Sequence, residues 1–245
     1  MTALRLFPPA LAFLSLIFWA MPSPAASYVL DDFSADTVEV RANNNNTIVP
    51  GFNLIEQRPP SETDGALNYT GNMSLELSTG TLPGVLGDPL RFGSIDNGTF
   101  NFSIADRTGA GAFPESIRLR YGSVVGGASF EIPADAPVLR LDDVQLTGGT
   151  QYQLTVNLFG AAGLAMPMGS QAFTIQGNIP FLQVLLSNLT ANIEDVRGLE
   201  VLITPTRDGN QIIIGSIGGV LLTPEPGRAA LTAMGVMLLL LRRRR

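Results

Sequence analysis

Short runs in which apolar and polar residues alternate strictly recur through the middle of the chain and constrain its fold. In residues 99–104, Phe100, Phe102 and Ile104 occupy one phase while polar residues occupy the other. Successive side chains of a strand point to opposite faces, so each run predicts a strand with one buried and one solvated face. Similar runs are residues 73–78, 117–121 and 151–158. The pattern predicts an all-β fold, an antiparallel β-sandwich.

The segments between these runs are rich in glycine, proline, asparagine and threonine. Three of them contain the dipeptides Asn97-Gly98, Gly148-Gly149 and Asp208-Gly209. These residues tolerate the positive φ angles that a two-residue loop requires. The first dipeptide predicts a turn just before the strand at residues 99–104. The other two predict short hairpins between the apolar runs that flank them.

The run at residues 139–146 changes phase in its middle. Leu139 and Leu141 share one phase, whereas Val144 and Leu146 share the opposite one. The change falls at residues 142–143, two consecutive aspartates. An extra residue in one strand produces such a change, so the sequence predicts a β-bulge there.

Residues 179–196 can be interpreted in two ways. Six apolar residues have helical spacing, with Pro180 placed for a first turn and Gly198 for a C-terminal cap. They are Leu182, Leu185, Leu186, Leu189, Ile193 and Val196. Against a helix, Asn188, Thr190 and Asn192 are poor helix formers and the neighbouring segments are β. We favour a strand near residues 181–186 followed by a turn, and the helix remains the alternative.

Residues 1–26 have the three parts of a secretory signal peptide. Arg5 supplies the positive charge, residues 10–21 form an apolar segment, and residues 22–26 are proline and small residues. We expect a signal-peptide helix that is removed during export. An uncleaved N-terminal anchor is the alternative.

The C-terminal segment, residues 223–245, combines three features. Pro224, Glu225 and Pro226 form an extended stretch, and an apolar run of 13 residues follows at 229–241. As a helix this run is about 20 Å long, which is short for a hydrocarbon core of about 30 Å. The chain ends in a basic cluster: Arg242, Arg243, Arg244 and Arg245. Arginines are costly to translocate, so we expect them on the cytoplasmic side of the membrane. A plain C-terminal anchor would have the same orientation.

The order Pro-Glu-Pro, apolar stretch, arginine cluster resembles the PEP-CTERM sorting signal of Gram-negative bacteria. In this resemblance, residues 224–226 match the signature tripeptide, residues 229–241 the transmembrane part and residues 242–245 the basic end. The resemblance implies processing by an exosortase, a membrane protease of bacteria that make extracellular polysaccharide. Residues 30–34 and 198–222 also resemble the jelly-roll-like β domains that precede such tails, which implies a jelly-roll-like sandwich for residues 27–222.

Composition excludes several classes of function. The chain contains no cysteine and no histidine, so disulfides, cysteine nucleophiles, a histidine base and the usual zinc, copper and haem sites are excluded. Residues 27–222 contain nine arginines, no lysine and 20 acidic residues. An acidic domain lacks the basic surface that nucleic acids and anionic membranes require. We therefore expect no nucleic-acid partner.

Two aspartate pairs are the candidate metal ligands. They are Asp31 with Asp32, and Asp142 with Asp143. Calcium prefers six to eight oxygen ligands, and carboxylates supply them. Neither pair lies in a spaced ligand loop, so turn and bulge chemistry with solvated carboxylates is the alternative. No other cofactor is expected.

The sequence divides into a signal peptide (1–26), a β-sandwich domain (27–222) and a sorting and anchor segment (223–245). We interpret it as an exported, non-enzymatic protein of the cell surface or extracellular matrix, tethered briefly in the cytoplasmic membrane. The main alternative is a carbohydrate-binding module acting in the exopolysaccharide matrix of a biofilm. A glycosidase is the third hypothesis, but no acidic residue has a recognisable catalytic context, so no catalytic residue is predicted.

Overall fold

The computed structural model describes residues 27–34, 37–42, 51–60, 67–79, 91–106, 116–161, 166–206 and 211–225. The predicted signal peptide and the apolar C-terminal helix lie outside these residues, as do Pro226 and the arginines at 242–245. No helix within the described ranges has the length and apolar character needed to cross a bilayer.

Strands are the main regular structure of the described residues. Helical structure within them is confined to single 3-10 turns, such as Leu186–Asn188 and Ile193–Asp195. The strands are β1 (Tyr28–Asp31), β2 (Val38–Ala42), β3 (Gly51–Arg58), β4 (Met73–Thr79), β5 (Arg91–Asp96), β6 (Thr99–Asp106), β7 (Ser116–Gly122), β8 (Val138–Gly148), β9 (Tyr152–Phe159), β10 (Gly169–Ile175), β11 (Ile179–Leu185), β12 (Gly198–Pro205), β13 (Gln211–Ile217) and β14 (Gly219–Thr223). The all-β prediction is confirmed.

The strands form two sheets, and every pair within them is antiparallel. The eight-stranded sheet has the order β1-β14-β8-β13-β6-β5-β2, and β11 also pairs with β8. The six-stranded sheet has the order β10-β9-β12-β7-β4-β3. The jelly-roll-like connection of the strands stays a prediction.

The apolar phases of both sheets meet in one continuous core. Phe102 of β6 and Tyr152 of β9 come from different sheets, and their rings meet edge to face with centroids 5.2 Å apart. Both side chains are fully buried. Fully burying a large apolar side chain contributes about 1.5–3 kcal/mol, so this layer is the main source of stability. The other large buried rings are Phe33, Phe100, Tyr121 and Phe130.

The two local irregularities predicted from sequence differ in how well they were anticipated. Leu139, Leu141 and Val144 are all buried, so the phase does change at residues 142–143. Asp143 has a φ of 46°, and the N–H of Gly218 donates to the carbonyl oxygen of Asp142 at 2.8 Å. The register of β8 against β11, β13 and β14 is nevertheless the same before and after these residues, so no extra residue is inserted and the bulge prediction is wrong. The register shift of β8 against β13 lies instead between Leu146 and Gly148. The 179–196 segment forms β11 followed by two 3-10 turns, as the strand interpretation predicted.

The turn predictions were only partly right. Asn97 and Gly98 have φ angles of 50° and 77° and connect β5 to β6 as a two-residue hairpin. Gly149 also has a positive φ of 86°, but β8 and β9 lie in different sheets, so the predicted hairpin is wrong. The strands before and after residues 207–210 likewise belong to different sheets, although that turn lies outside the described residues. β11 pairs with residues 138–144 of β8, which a β8–β9 hairpin would also need, and β13 and β14 pair with β8 as well.

Candidate functional site

A groove of about 440 Å³ lies on the outer face of the eight-stranded sheet. Four neighbouring strands, β5, β6, β13 and β8, supply its lining. The lining residues are Ser94, Asp96, Asn101, Phe102, Gln145, Thr147, Ile214, Gly215 and Ser216. They come mainly from the polar phase of strands whose apolar phase forms the core.

The register of the sheet aligns four of these side chains in one row. Ser94 lies opposite Asn101, Asn101 opposite Ser216, and Ser216 opposite Gln145. Neighbouring strands are about 4.8 Å apart, so the row extends about 14 Å across the sheet. This length accommodates an extended ligand lying across the strands.

Gly215 packs closely against the core beneath the groove. A Cβ atom at this position would lie 2.5 Å from a ring atom of Phe102 and 2.5 Å from the main-chain oxygen of Gln145. A side chain therefore does not fit there without displacing the ring or the neighbouring strand. The ring of Phe102 is fully buried on the core side of the sheet, so it supports the groove from below and is not exposed in it.

Hydroxyls and amides dominate the chemistry of the groove. Ser94, Asn101, Gln145, Thr147 and Ser216 each both donate and accept hydrogen bonds. Ile214, 43% exposed, adds an apolar wall. Asp96 is the single ionisable residue among the nine that line the groove. The groove is therefore suited to a neutral, hydroxyl-rich ligand with apolar faces.

An aromatic and charged patch lies on the same outer face, on β8 and β11. Phe181 pairs in register with Asp142, and its side chain is 44% exposed. The guanidinium carbon of Arg140 is 4.8 Å from the centroid of the Phe181 ring, which is a cation–π contact. The Nε–H of Arg140 donates to Asp142 at 2.5 Å. We call Arg140, Asp142 and Phe181 the Phe181 patch.

The outer face of the six-stranded sheet carries a different arrangement, which we call the charge ladder: Glu76, Arg118, Arg120 and Glu200. Glu76 lies opposite Arg118 in register, and Arg120 lies opposite Glu200. Arg118 donates from Nε to Glu76 at 2.7 Å, and Arg120 donates from Nε to Glu200 at 2.7 Å. A longer contact of 3.4 Å joins Arg120 to Glu76.

Two neutral side chains complete the ladder. Ser74 donates to Glu76 at 2.8 Å, and the amide of Asn157 donates to Glu200 at 2.8 Å. Burial lowers the pKa of Arg118, while the charge of Glu76 and its hydrogen bond act in the opposite direction. The carboxylates and guanidinium groups thus satisfy one another within the protein.

The ladder corrects the expectation that the polar phases of residues 73–78 and 117–121 are solvated. Glu76, Arg120 and Glu200 are only 4%, 7% and 5% exposed. Opposite charges that meet in register neutralise each other, which makes their burial tolerable. The sequence shows opposite charges on the polar phases of separate strands. It does not show which of these strands lie side by side.

The four predicted calcium ligands are in different settings. Asp31 is fully buried and accepts hydrogen bonds from Arg58 at 3.1 Å and from the hydroxyl of Tyr121 at 3.3 Å. Asp32 accepts from the backbone N–H of Ser34 at 3.0 Å. Asp142 belongs to the Phe181 patch, and Asp143 has the positive φ angle at the phase change of β8. The described residues contain no cluster of three or more acidic metal ligands, and calcium binding stays a prediction.

The buried ion pair of Asp31 and Arg58 connects the two sheets. Asp31 ends β1 of the eight-stranded sheet, whereas Arg58 ends β3 and Tyr121 lies on β7 of the six-stranded sheet. Burial, with the nearby charge of Asp31, raises the pKa of Tyr121 well above its usual value. Desolvation also raises the pKa of the neighbouring Tyr69 to about 12. This cluster stabilises the sandwich and is closed to a ligand.

The predicted sorting residues begin where the sandwich ends. β14 finishes at Thr223, and Pro224 and Glu225 follow it outside any strand and half-buried. Pro226 and the arginines at 242–245 lie outside the described residues.

No protein-family model matches the chain, and no characterised protein matches it in sequence. Among solved structures, it is similar to a family 11 carbohydrate-binding module from Clostridium thermocellum in complex with a β-1,3-1,4-mixed-linked tetrasaccharide. That match has 9% identity and a TM-score of 0.38, and covers 82% of this chain and 98% of the module. A second structure of a family 11 module, from a cellulosomal cellulase of the same organism, has 9% identity, a TM-score of 0.36, and coverage of 83% and 97%.

Proposed function

We propose that this chain is an exported, non-catalytic protein of the cell surface or extracellular matrix that binds a neutral polysaccharide in the groove of its eight-stranded sheet. The observation that carries the proposal is the groove itself. It combines a row of amides and hydroxyls about 14 Å long with the apolar wall of Ile214. The absence of strong local charge favours neutral sugars over charged polymers.

Sugar chemistry fits this lining in two ways. The hydroxyl groups of a sugar both donate and accept hydrogen bonds, as do the side chains of Asn101, Gln145 and Ser216. The C–H faces of a sugar ring are apolar, and the exposed side chain of Ile214 offers them an apolar contact in the same groove.

The same lining argues against glycoside hydrolysis in the groove. That reaction ordinarily uses two carboxyl groups about 5–9.5 Å apart, one as acid and one as base or nucleophile. Asp96 is the one carboxylate among the lining residues. We therefore propose retention of the polysaccharide rather than its cleavage.

The proposed location rests on the two ends of the sequence. The signal peptide at residues 1–26 would direct export, and residues 224–226 would be the exosortase recognition motif. The apolar run at 229–241, with the arginines at 242–245, would hold the exported chain in the cytoplasmic membrane until processing. Mass spectrometry of the surface-bound protein tests this. We expect a mature C-terminus near Pro224, and an intact Arg245 would contradict processing.

Binding is tested with the exported chain by affinity electrophoresis in gels containing neutral polysaccharides, including mixed-linked β-glucan, β-1,4-galactan and the exopolysaccharide of the producing cell. We expect retention by at least one of them. The double substitution Asn101→Ala and Gln145→Ala should weaken retention at least tenfold, because it removes both amides of the row, one on each side of Ser216.

The matched control is Asn188→Ala, which removes an exposed amide from the 3-10 turn after β11. It should leave retention unchanged. Equal retention of the control and the double variant, or no retention of the unmodified chain, would contradict the proposed groove.

A further inference from the structure

Five strands of the described chain pair on one side only: β1, β2, β3, β10 and β11. The open side of such an edge strand presents backbone N–H and C=O groups to any other strand that approaches. Proteins protect these edges with short strands, charges, proline or bulges, because an unprotected edge pairs with another chain.

Four of the five edges carry such protection. β1 has four residues and an irregular register between Val29 and Asp31, and β2 contains Glu39 and Arg41. β3 has a register shift between residues 52 and 54 and two charged residues. β11 contains Pro180, which has no backbone N–H to donate.

β10 has none of these features. Its seven residues, Gly169–Ile175, pair one to one with β9 without a register shift. It contains no charged residue and no proline. Just before it, the side chain of Met166 is 79% exposed, and Phe173 within it is only half-buried against the core. β10 is therefore a straight, uncharged edge with apolar groups beside it.

We propose that β10 is a self-association edge, at which two copies of this chain join their six-stranded sheets into one continuous twelve-stranded sheet. This interface is independent of the groove, which lies on the other sheet. Charge favours a second copy. Residues 27–222 are strongly acidic, so an uncharged strip is where two copies approach with least repulsion.

A two-fold axis fixes the register of the pair. In an antiparallel pair of identical strands that uses all seven residues, Gly169 meets the partner's Ile175 and Ala172 meets its own copy on the axis. Ser170 then lies opposite Thr174, a hydroxyl pair of the kind that stabilises neighbouring strands. All three, Ser170, Ala172 and Thr174, are exposed on the outer face. A shift by one residue would place core-facing side chains opposite outer ones, so it is excluded.

The natural absence of cysteine makes a single introduced cysteine a clean probe. Directly opposed residues of antiparallel strands have Cα atoms about 4.5–5.5 Å apart, within the range of a disulfide. In the exported chain under mild oxidation, Ala172→Cys should therefore give a disulfide-linked dimer on non-reducing gels.

Matched controls use the neighbouring exposed positions. Ser170→Cys alone and Thr174→Cys alone should give at least tenfold less dimer, because each cysteine would be four residues, about 13 Å, from its copy. An equimolar mixture of the two variants should restore a mixed dimer. No dimer from Ala172→Cys, or as much dimer from Ser170→Cys alone, would overturn the proposal. Cross-linking of the Ala172→Cys variant to a different protein would show that β10 pairs with another partner. This result would overturn the proposal as well.

A charge variant tests the noncovalent interface. Ser170→Lys with Thr174→Lys places like charges opposite each other across the two-fold axis, on side chains that are exposed in the isolated chain. We expect sedimentation equilibrium to show association at least tenfold weaker. The control, Gln183→Lys with Asn72→Lys, adds the same charge at exposed positions on β11 and just before β4, away from β10, and should associate normally. Equal association of both variants would overturn the proposal.

Discussion

The outer faces of the two sheets carry polar side chains at equivalent positions of alternating strands, yet they differ in nearly every physical respect. On the eight-stranded sheet these side chains are small and neutral, and they line an open groove. On the six-stranded sheet they are long and charged, and they are buried in mutual ion pairs. The comparison shows that alternation predicts which side chains face away from the core, but not how exposed those side chains are.

The difference also separates stability from binding. Paired charges that satisfy each other, as Arg120 and Glu200 do, offer a ligand few unused donors or acceptors, and exposing them would require breaking buried ion pairs. The hydroxyls and amides of the groove make few contacts within the protein, so they are available to a ligand. Substitutions in the ladder should therefore reduce stability and leave binding unchanged, whereas substitutions in the groove should reduce binding. Three predictions test this difference and a fourth concerns a buried tyrosine; they are given from the largest effect on stability to the smallest.

The largest effect is expected from Arg120→Met. The substitution keeps an unbranched apolar stem but leaves Glu76 and Glu200 with one cation in place of two. Breaking a buried ion pair by removing one partner typically costs about 3–5 kcal/mol. We expect the free energy of unfolding in urea to fall by about 3 kcal/mol or more while polysaccharide retention of the folded protein is unchanged. A loss below about 1 kcal/mol would show that the ladder is solvated.

An intermediate effect is expected from Gly215→Ala, which should reduce both stability and polysaccharide binding. The added methyl group would overlap the ring of Phe102, and overpacking of this kind costs about 1–3 kcal/mol. Because a Cβ would also lie 2.5 Å from the main-chain oxygen of Gln145, the backbone beside Ser216 must shift, and retention should fall as well. The control is Gly177→Ala, where a Cβ would meet no atom within 4 Å. Normal retention by Gly215→Ala would mean that binding does not depend on the spacing between Ser216 and Gln145.

A smaller effect is expected at alkaline pH. The pKa of Tyr69 is raised to about 12 in the folded protein, mainly by desolvation, compared with 10.0 in the unfolded chain. The unfolded chain therefore loses this proton first, so stability is fully present below pH 10 and declines as the pH rises from 10 towards 12. Thermal unfolding should show a shallower decline for Tyr69→Phe than for the unmodified chain. Identical slopes would contradict a protonated, desolvated phenol in the fold.

The same contrast shows how far the sequence could predict this molecule. Features set by neighbouring residues were predictable: the Asn97-Gly98 hairpin, the phase change at Asp142 and the burial of Phe100 and Phe102. Features set by strand pairing were not. Gly149 predicts a turn, but whether the next strand pairs with β8 depends on the strands that lie beside β8. In the structure β9 belongs to the other sheet.

Both polar faces depend on strand pairings that are distant in sequence. The groove requires β13 to pair with both β6 and β8, which brings Ser216 beside Asn101 and Gln145. The ladder requires β7 to lie between β4 and β12, which brings Arg120 close to Glu76 and Glu200. Alternation in each strand predicted that these residues are polar and face away from the core. It carried no information about which strand lies alongside.

The smallest effect on stability is expected from Asn101→Ala in the middle of the groove row. This side chain is half-buried on the outer face, and surface substitutions away from packed or paired groups usually change stability by less than about 0.5 kcal/mol. Retention on the polysaccharide should nevertheless weaken several-fold, because the amide lies between Ser94 and Ser216 in the row. Urea unfolding and affinity electrophoresis on the same preparation measure both quantities. A large loss of stability with unchanged retention would mean that Asn101 behaves like the ladder residues. The distinction between a stabilising face and a binding face would then be wrong for a residue in the middle of the groove.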